Sequence, residues 1–142
     1  MPVRILIADD DSTIRNLVRR LLEEHPDWSV CGEAQDGADA VAKAGELAPD
    51  LVVLDLAMPR MNGINAAQQI AAQNPRLPML LLTVQQVSGQ LAAEARKAGF
   101  RGAVCKGNGV EVVNCVAILL QQRTCFLVDD STTGAQGPVS KD

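Results

Sequence analysis

Asp50-Leu-Val-Val-Leu-Asp-Leu-Ala-Met-Pro-Arg-Met-Asn-Gly63 decides how the chain is read. Leu51 to Leu54 is an apolar run without polar alternation, the pattern of a strand buried on both faces of a parallel sheet. The run stops at a carboxylate, Asp55. A loop containing Pro59 follows, and then a helical pattern begins. Open α/β sheets place their ligands at the carboxyl ends of central strands. A strand whose terminal Asp merely caps the next turn would read the same way, so the rest of the chain has to decide.

Working outward, the same unit recurs. Val3 to Ala8 is a short β-branched strand that stops at Asp9-Asp10-Asp11. The next helix carries Ile14, Leu17, Val18, Leu21 and Leu22 on one stripe, capped by Asp11 or Ser12. Trp28 to Ala34 is a second, more alternating strand, and Ala38 to Ala48 is an Ala-rich helix. After the opening stretch, a helix runs from Gly63 or Ile64 to Asn74. Pro78 to Thr83 is a fourth strand, and a helix from Ser88 or Gly89 to Ala98 closes at Gly99. Gly102 to Lys106 is a fifth strand, and Val110 to about Arg123 is a last helix, apolar on several sides. Five β-α units imply a doubly wound (βα)5 flavodoxin-like α/β domain. The parallel sheet has right-handed crossovers and the order 2-1-3-4-5.

The totals narrow the function. A chain of 142 residues with 47% hydrophobic residues forms one domain with a core. A net charge of −4 argues against a nucleic-acid-binding face, and 2% aromatics leave no stacking platform for bases. No stretch has the length of a transmembrane helix, and the N-terminus does not read as a signal peptide. Cys31, Cys105, Cys115 and Cys125 match no zinc spacing. They read as reduced thiols in a cytoplasmic protein, with no disulfide between Cys115 and Cys125. His25, at a helix end beside Pro26, reads as a C-terminal charge partner.

Four strand ends carry polar groups: Asp9 and Asp10, Asp55, Thr83, and Lys106. In a parallel sheet these ends share one edge. Clustered carboxylates repel by roughly 1–4 kcal/mol per pair a few ångströms apart. Lys106 supplies one compensating charge, and the remaining oxygen ligands suit a hard divalent ion such as Mg²⁺. A carboxylate beside a metal, a lysine and a hydroxyl can accept a phosphoryl group.

Asp9-Asp10, Asp55 with Met58-Pro59 and Asn62-Gly63, Thr83 and Lys106 together resemble a two-component response-regulator receiver domain. The likeness covers residues 3 to about 123, and is weakly of the LuxR type. It implies that Asp55 is the phosphoacceptor, supplied by a histidine kinase or phosphotransfer protein. Asp10 and Asp55 would ligate Mg²⁺ through side chains, Ala57 through its carbonyl, and Asp9 through a metal-bound water. Thr83 and Lys106 would hold the phosphoryl group. Such a domain is a signalling phosphoacceptor, not an enzyme on other substrates. On this reading residues 1–123 are the receiver and 124–142 a flexible tail or linker remnant. Phe126 to Thr132 echoes Leu6 to Thr13, by coincidence or as a short docking strand.

Three positions depart from the family pattern. Ala103 stands where family members usually carry a switch aromatic, Val84 where a small residue follows the threonine, and Gly107 where Pro follows the lysine. Ala103 and Val84 motivate a rival reading, a pseudo-receiver that signals without phosphate. A phosphatase with an aspartyl nucleophile would want a second acid at Ala57. The apolar last helix suggests a partner surface, such as a homodimer. The output stays open between a stand-alone receiver and one preceding a DNA-binding domain.

Overall fold

The computed structural model describes residues 2–128. Its strands are β1 (Val3–Ala8), β2 (Trp28–Ala34), β3 (Leu51–Asp55), β4 (Met79–Thr83), β5 (Gly102–Cys105) and β6 (Cys125–Phe126). Its helices are α1 (Ser12–Glu23), α2 (Gly37–Leu47), α3 (Gly63–Gln73), α4 (Gly89–Ala98) and α5 (Gly109–Leu120). The sheet order is β2-β1-β3-β4-β5-β6, parallel at every pairing. The expected 2-1-3-4-5 arrangement is therefore present, extended by one strand.

Every residue of β3 and β4 is buried, as their unbroken apolar runs require. Alternate side chains feed two cores. Leu6, Val52, Leu54, Met79 and Leu81 pack under α2, α3 and α4 with Ala40, Ala66, Ala67, Ile70 and Ala95. Ile5, Ile7, Val53, Leu80 and Leu82 pack under α1 and α5 with Val18, Leu22, Val112, Val116 and Leu119. The small residues on α2 to α4 let those helices lie close to the sheet.

Each helix starts on a side-chain cap. Asp11 accepts from the Thr13 and Ile14 amides, Asp36 from Asp39, Asn62 from Asn65, Ser88 from Leu91 and Asn108 from Glu111. Asp11 is thus a cap, as read from the sequence. His25 sits just past the C-cap of α1. Its ring stacks on Trp28 at 4.2 Å between centroids, and its Nδ1 accepts from the Asp27 amide.

Two expectations about the C-terminal segment need correcting. The last helix stops at Leu120, and Gln122 takes a left-handed φ of 65°. The chain thereby reverses and returns along β5, so residues 125 and 126 are a sheet strand where a tail was expected. The reversal also overturns the reading of free thiols at both positions. The Cα atoms of Cys115 and Cys125 are 5.5 Å apart and their sulfurs form a disulfide. Sequence separation alone concealed this, because it depends on the turn after α5. Cys31 and Cys105 are free. Asp129 to Thr132, the remainder of the sequence echo, lies outside the described residues.

Candidate functional site

The register explains how distant residues converge. Ala8 pairs with Leu54, Asp55 with Leu82, and Thr83 with Cys105. Asp9 and Lys106, each one residue beyond its strand, are held level with Asp55 by the backbone. The Asp9 amide donates to the Ala34 carbonyl at 3.0 Å, and the Lys106 amide to the Thr83 carbonyl at 2.8 Å.

The Lys106 ammonium bridges two buried carboxylates. Its Nζ lies 2.7 Å from Asp9 Oδ2 and 3.0 Å from Asp55 Oδ1. The contact to Asp9 is an ion pair off hydrogen-bond geometry, so Asp9 Oδ2 remains buried without a hydrogen-bond partner. Asp9 Oδ1 accepts from the Asp11 amide. Asp10 is exposed, yet one oxygen from each of Asp9, Asp10 and Asp55 lies within 4.8 Å of the others. Thr83 is buried at the end of β4, and its Oγ1 accepts from the Gln85 amide at 3.2 Å.

Burial, the largest influence, pushes the Asp55 carboxyl above its ordinary range, and the charge of Asp9 adds to it. The hydrogen bond and charge of Lys106 oppose this, as does the backbone of Ala57. For Lys106, burial works against the charged form. The close contacts with Asp9 and Asp55 and their negative charges together outweigh it and raise its pKa. The ammonium is therefore firmly charged, yet one ammonium faces three carboxylates. The excess negative charge and the all-oxygen donor set fit a small hard cation.

The loop after β3 is clamped under the site. The Gly63 amide donates to the Leu56 carbonyl at 2.8 Å, and Met58 is buried. A Cβ on Gly63 would fall 2.3 Å from the Asp55 carbonyl oxygen, so only glycine permits this approach. Arg60 Nε lies 3.5 Å from Asp36 Oδ2, tying the loop to the start of α2.

Asp9, Asp10, Asp55 and Lys106 are thus brought together, with Thr83 on the adjacent strand end. Ala57 is exposed in the loop, and Val84 is 79% exposed, its bulk directed largely into solvent. Ala103 is fully buried, level with Phe126 of β6. Phe126 was missed as a neighbour of this position. The apolar Cys125-Phe-Leu-Val128 run was the available signal.

The family model described as "Response regulator receiver domain" matches residues 5–116. The chain belongs to the response regulator receiver domain family. Among solved structures, a LuxR-family two-component response regulator from Aurantimonas sp. is 32% identical, with a TM-score of 0.84. The match covers 88% of this receiver domain and 89% of that chain. The receiver domain of the putative response regulator NarL from Mycobacterium tuberculosis is 28% identical, with a TM-score of 0.80, over 86% of this chain and 98% of that one. A protein-glutamate methylesterase/protein-glutamine glutaminase from Treponema denticola is 30% identical over 117 residues, 82% of this chain. The receiver spans only 32% of that protein's length, and its enzymatic name describes that whole protein. No helix among the described residues is long and apolar enough to cross a membrane.

Proposed function

We propose that this receiver domain takes a phosphoryl group from a histidine kinase or phosphotransfer protein onto Asp55 in a Mg²⁺-dependent reaction. The observation that carries the reading is the Lys106 ammonium held between Asp9 and Asp55, with Asp10 and Thr83 alongside. A carboxylate oxygen of Asp55 forms the new bond to phosphorus as the bond to the donor nitrogen breaks. The raised pKa makes that carboxylate a better nucleophile once deprotonated. Lys106, already 3.0 Å from Asp55, stays to neutralise the transferred group. Thr83 Oγ1 receives its hydrogen bond from Gln85, which leaves its own proton for a phosphoryl oxygen. Asp10, Asp55 and the Ala57 carbonyl would hold Mg²⁺, and Asp9 would act through a water; the ion would supply positive charge against the phosphoryl oxygens.

On this reading the domain is a cytoplasmic signalling module that catalyses only its own phosphorylation and dephosphorylation. Phosphorylation shifts a two-state equilibrium on the face of α4, β5 and α5. A homodimer through α5 would use Val110, which is 71% exposed; Val113, Ile118 and Leu120 already pack against the chain's own core. Sedimentation with and without beryllofluoride tests that pairing, and a monomer under both conditions rejects it.

Incubation with Mg²⁺ and acetyl phosphate should add one phosphoryl mass, absent in Asp55→Asn. Equal incorporation in the variant removes Asp55 from the role. Failure of the unmodified protein to bind Mg²⁺ or beryllofluoride would favour a phosphate-independent interaction module, the reading that Ala103 motivates.

A further inference from the structure

The β6 strand is only two residues long, yet it joins three elements. Its backbone completes the open edge of β5: the Cys125 amide donates to the Arg101 carbonyl at 2.9 Å and the Leu127 amide to the Ala103 carbonyl at 3.0 Å. Its two side chains point to opposite faces, as strand geometry dictates. Cys125 enters the α1/α5 core and is bonded to Cys115 of α5. Phe126 packs against the opposite core, with the Arg96 guanidinium of α4 at 4.1 Å over its ring. Strand β5 is shaped for this neighbour. A Cβ on Gly102 would lie 2.7 Å from the Cys125 carbonyl oxygen.

We propose that Cys115 and Cys125 form a reducible clasp. Exchange with a dithiol reductant releases β6 and opens the α4–β5–α5 face. A reductant thiolate attacks one cysteine sulfur, the Cys115–Cys125 bond breaks, and a mixed disulfide forms. The reductant's second thiolate then displaces the remaining cysteine. Two electrons leave the dithiol, which ends as a disulfide, and the two cysteine sulfurs take up two protons. Cys115 is fully buried and Cys125 is 7% exposed, so attack follows a transient lifting of the strand. Short edge segments with few backbone bonds open locally at low cost.

While oxidised, the covalent bond keeps each opening brief and the β5 edge covered. Once reduced, β6 is held by its backbone pairing with β5, the packing of Cys125 and Phe126 against the two cores and the Arg96–Phe126 contact, without a covalent tie. Release leaves the Arg101 and Ala103 carbonyls without their donors on an open edge. That edge begins the strand whose far end carries Lys106. The clasp does not depend on phosphoryl transfer, so its test is separate from that of Asp55.

The test uses the full chain, prepared without reductant. Alkylation under denaturing conditions should modify two cysteines before reduction and four after. Native hydrogen exchange is then compared for the oxidised protein, the dithiothreitol-reduced protein and Cys125→Ser. The Leu127 amide should exchange at least tenfold faster in the latter two, with the Val53 and Leu54 amides unchanged. In oxidised Arg96→Ala, Leu127 should stay protected, because the covalent bond persists. The proposal is overturned by four reactive thiols before reduction, or by equal Leu127 exchange in oxidised and reduced protein. Equal acceleration of the β3 amides would make the bond a global staple instead of a clasp, and also overturns it. So does release of Leu127 by Arg96→Ala alone.

Discussion

Replacing Lys106 with Met keeps most of the aliphatic stem and removes the charge that bridges Asp9 and Asp55. Both carboxylates are nearly buried, with side-chain exposures of 2% and 6%, and the lysine side chain is 10% exposed. Breaking a buried ion pair by deleting one partner costs roughly 3–5 kcal/mol, because the remaining charge is left uncompensated. Here two carboxylates lose their partner together, which places Lys106→Met at about 4 kcal/mol or more in metal-free buffer. With an m-value near 2 kcal/mol/M, the urea midpoint in EDTA at pH 7.5 should fall by about 2 M. Two controls separate charge from packing. Lowering the pH should narrow the gap, since protonating either carboxylate relieves the repulsion. Adding millimolar Mg²⁺ should raise the midpoint more in the variant than in the unmodified protein, because a cation then replaces the missing ammonium. Stability within 0.5 kcal/mol of the unmodified protein in EDTA would refute the reasoning. A gap unchanged between pH 5 and 7.5 would do so as well.

Asp55→Asn tests the raised pKa in EDTA. A carboxyl whose pKa is higher folded than unfolded binds more protons in the native state, so stability falls as pH rises from the ordinary carboxylate range through the raised value. Thermal melts should show Asp55→Asn flattening that decline and exceeding the unmodified protein at pH 7; a lower melting temperature there would contradict the burial argument. Lys106 acts with the same sign in the alkaline range: stability from its raised pKa is complete below the unfolded lysine value and is lost as pH climbs through the folded one, a loss that Lys106→Met should abolish in alkaline titration. Asp11→Ala should cost about 1 kcal/mol through the lost cap without changing Mg²⁺ affinity, whereas Asp10→Asn, at an exposed position, should lower Mg²⁺ affinity in calorimetry with little change in stability. Gly63→Ala forces a Cβ against the Asp55 backbone and should destabilise by about 1–3 kcal/mol in urea titration, with reduced phosphorylation by acetyl phosphate.

The elements and their order were readable because local and long-range signals agree. Leu51 to Leu54 and Leu80 to Leu82 have no polar face, so they fit only a sheet covered on both sides. Asp36, Asn62 and Ser88 cap helices through their own side chains, which is information carried within a few residues. Convergence of Asp9, Asp55, Thr83 and Lys106 followed from topology, because parallel strands must end on one edge. Their distances did not follow. That Lys106 bridges Asp9 and Asp55, with Asp9 Oδ2 lacking a hydrogen bond, depends on registers that no periodicity specifies.

The C-terminal segment was misread for a related reason. A strand of two residues has too few positions to show alternation, and its partner on β5 was itself unremarkable: Gly102 and Ala103 carry little side chain. Small residues there read from sequence as a missing aromatic. In the fold they are room for another chain segment, with Phe126 standing level with Ala103 and Arg96 over its ring. The turn that allows this is held by the Gln121 and Gln122 amides donating back to Ile118 and Leu119. An aromatic distant in sequence thus stands beside the position that departs from the family pattern. Whether this aromatic transmits phosphorylation is testable with Phe126→Ala. If it does, the variant should still take up phosphoryl from acetyl phosphate while the exchange difference that beryllofluoride produces in α4 amides is lost. An undiminished difference would leave Phe126 as packing alone.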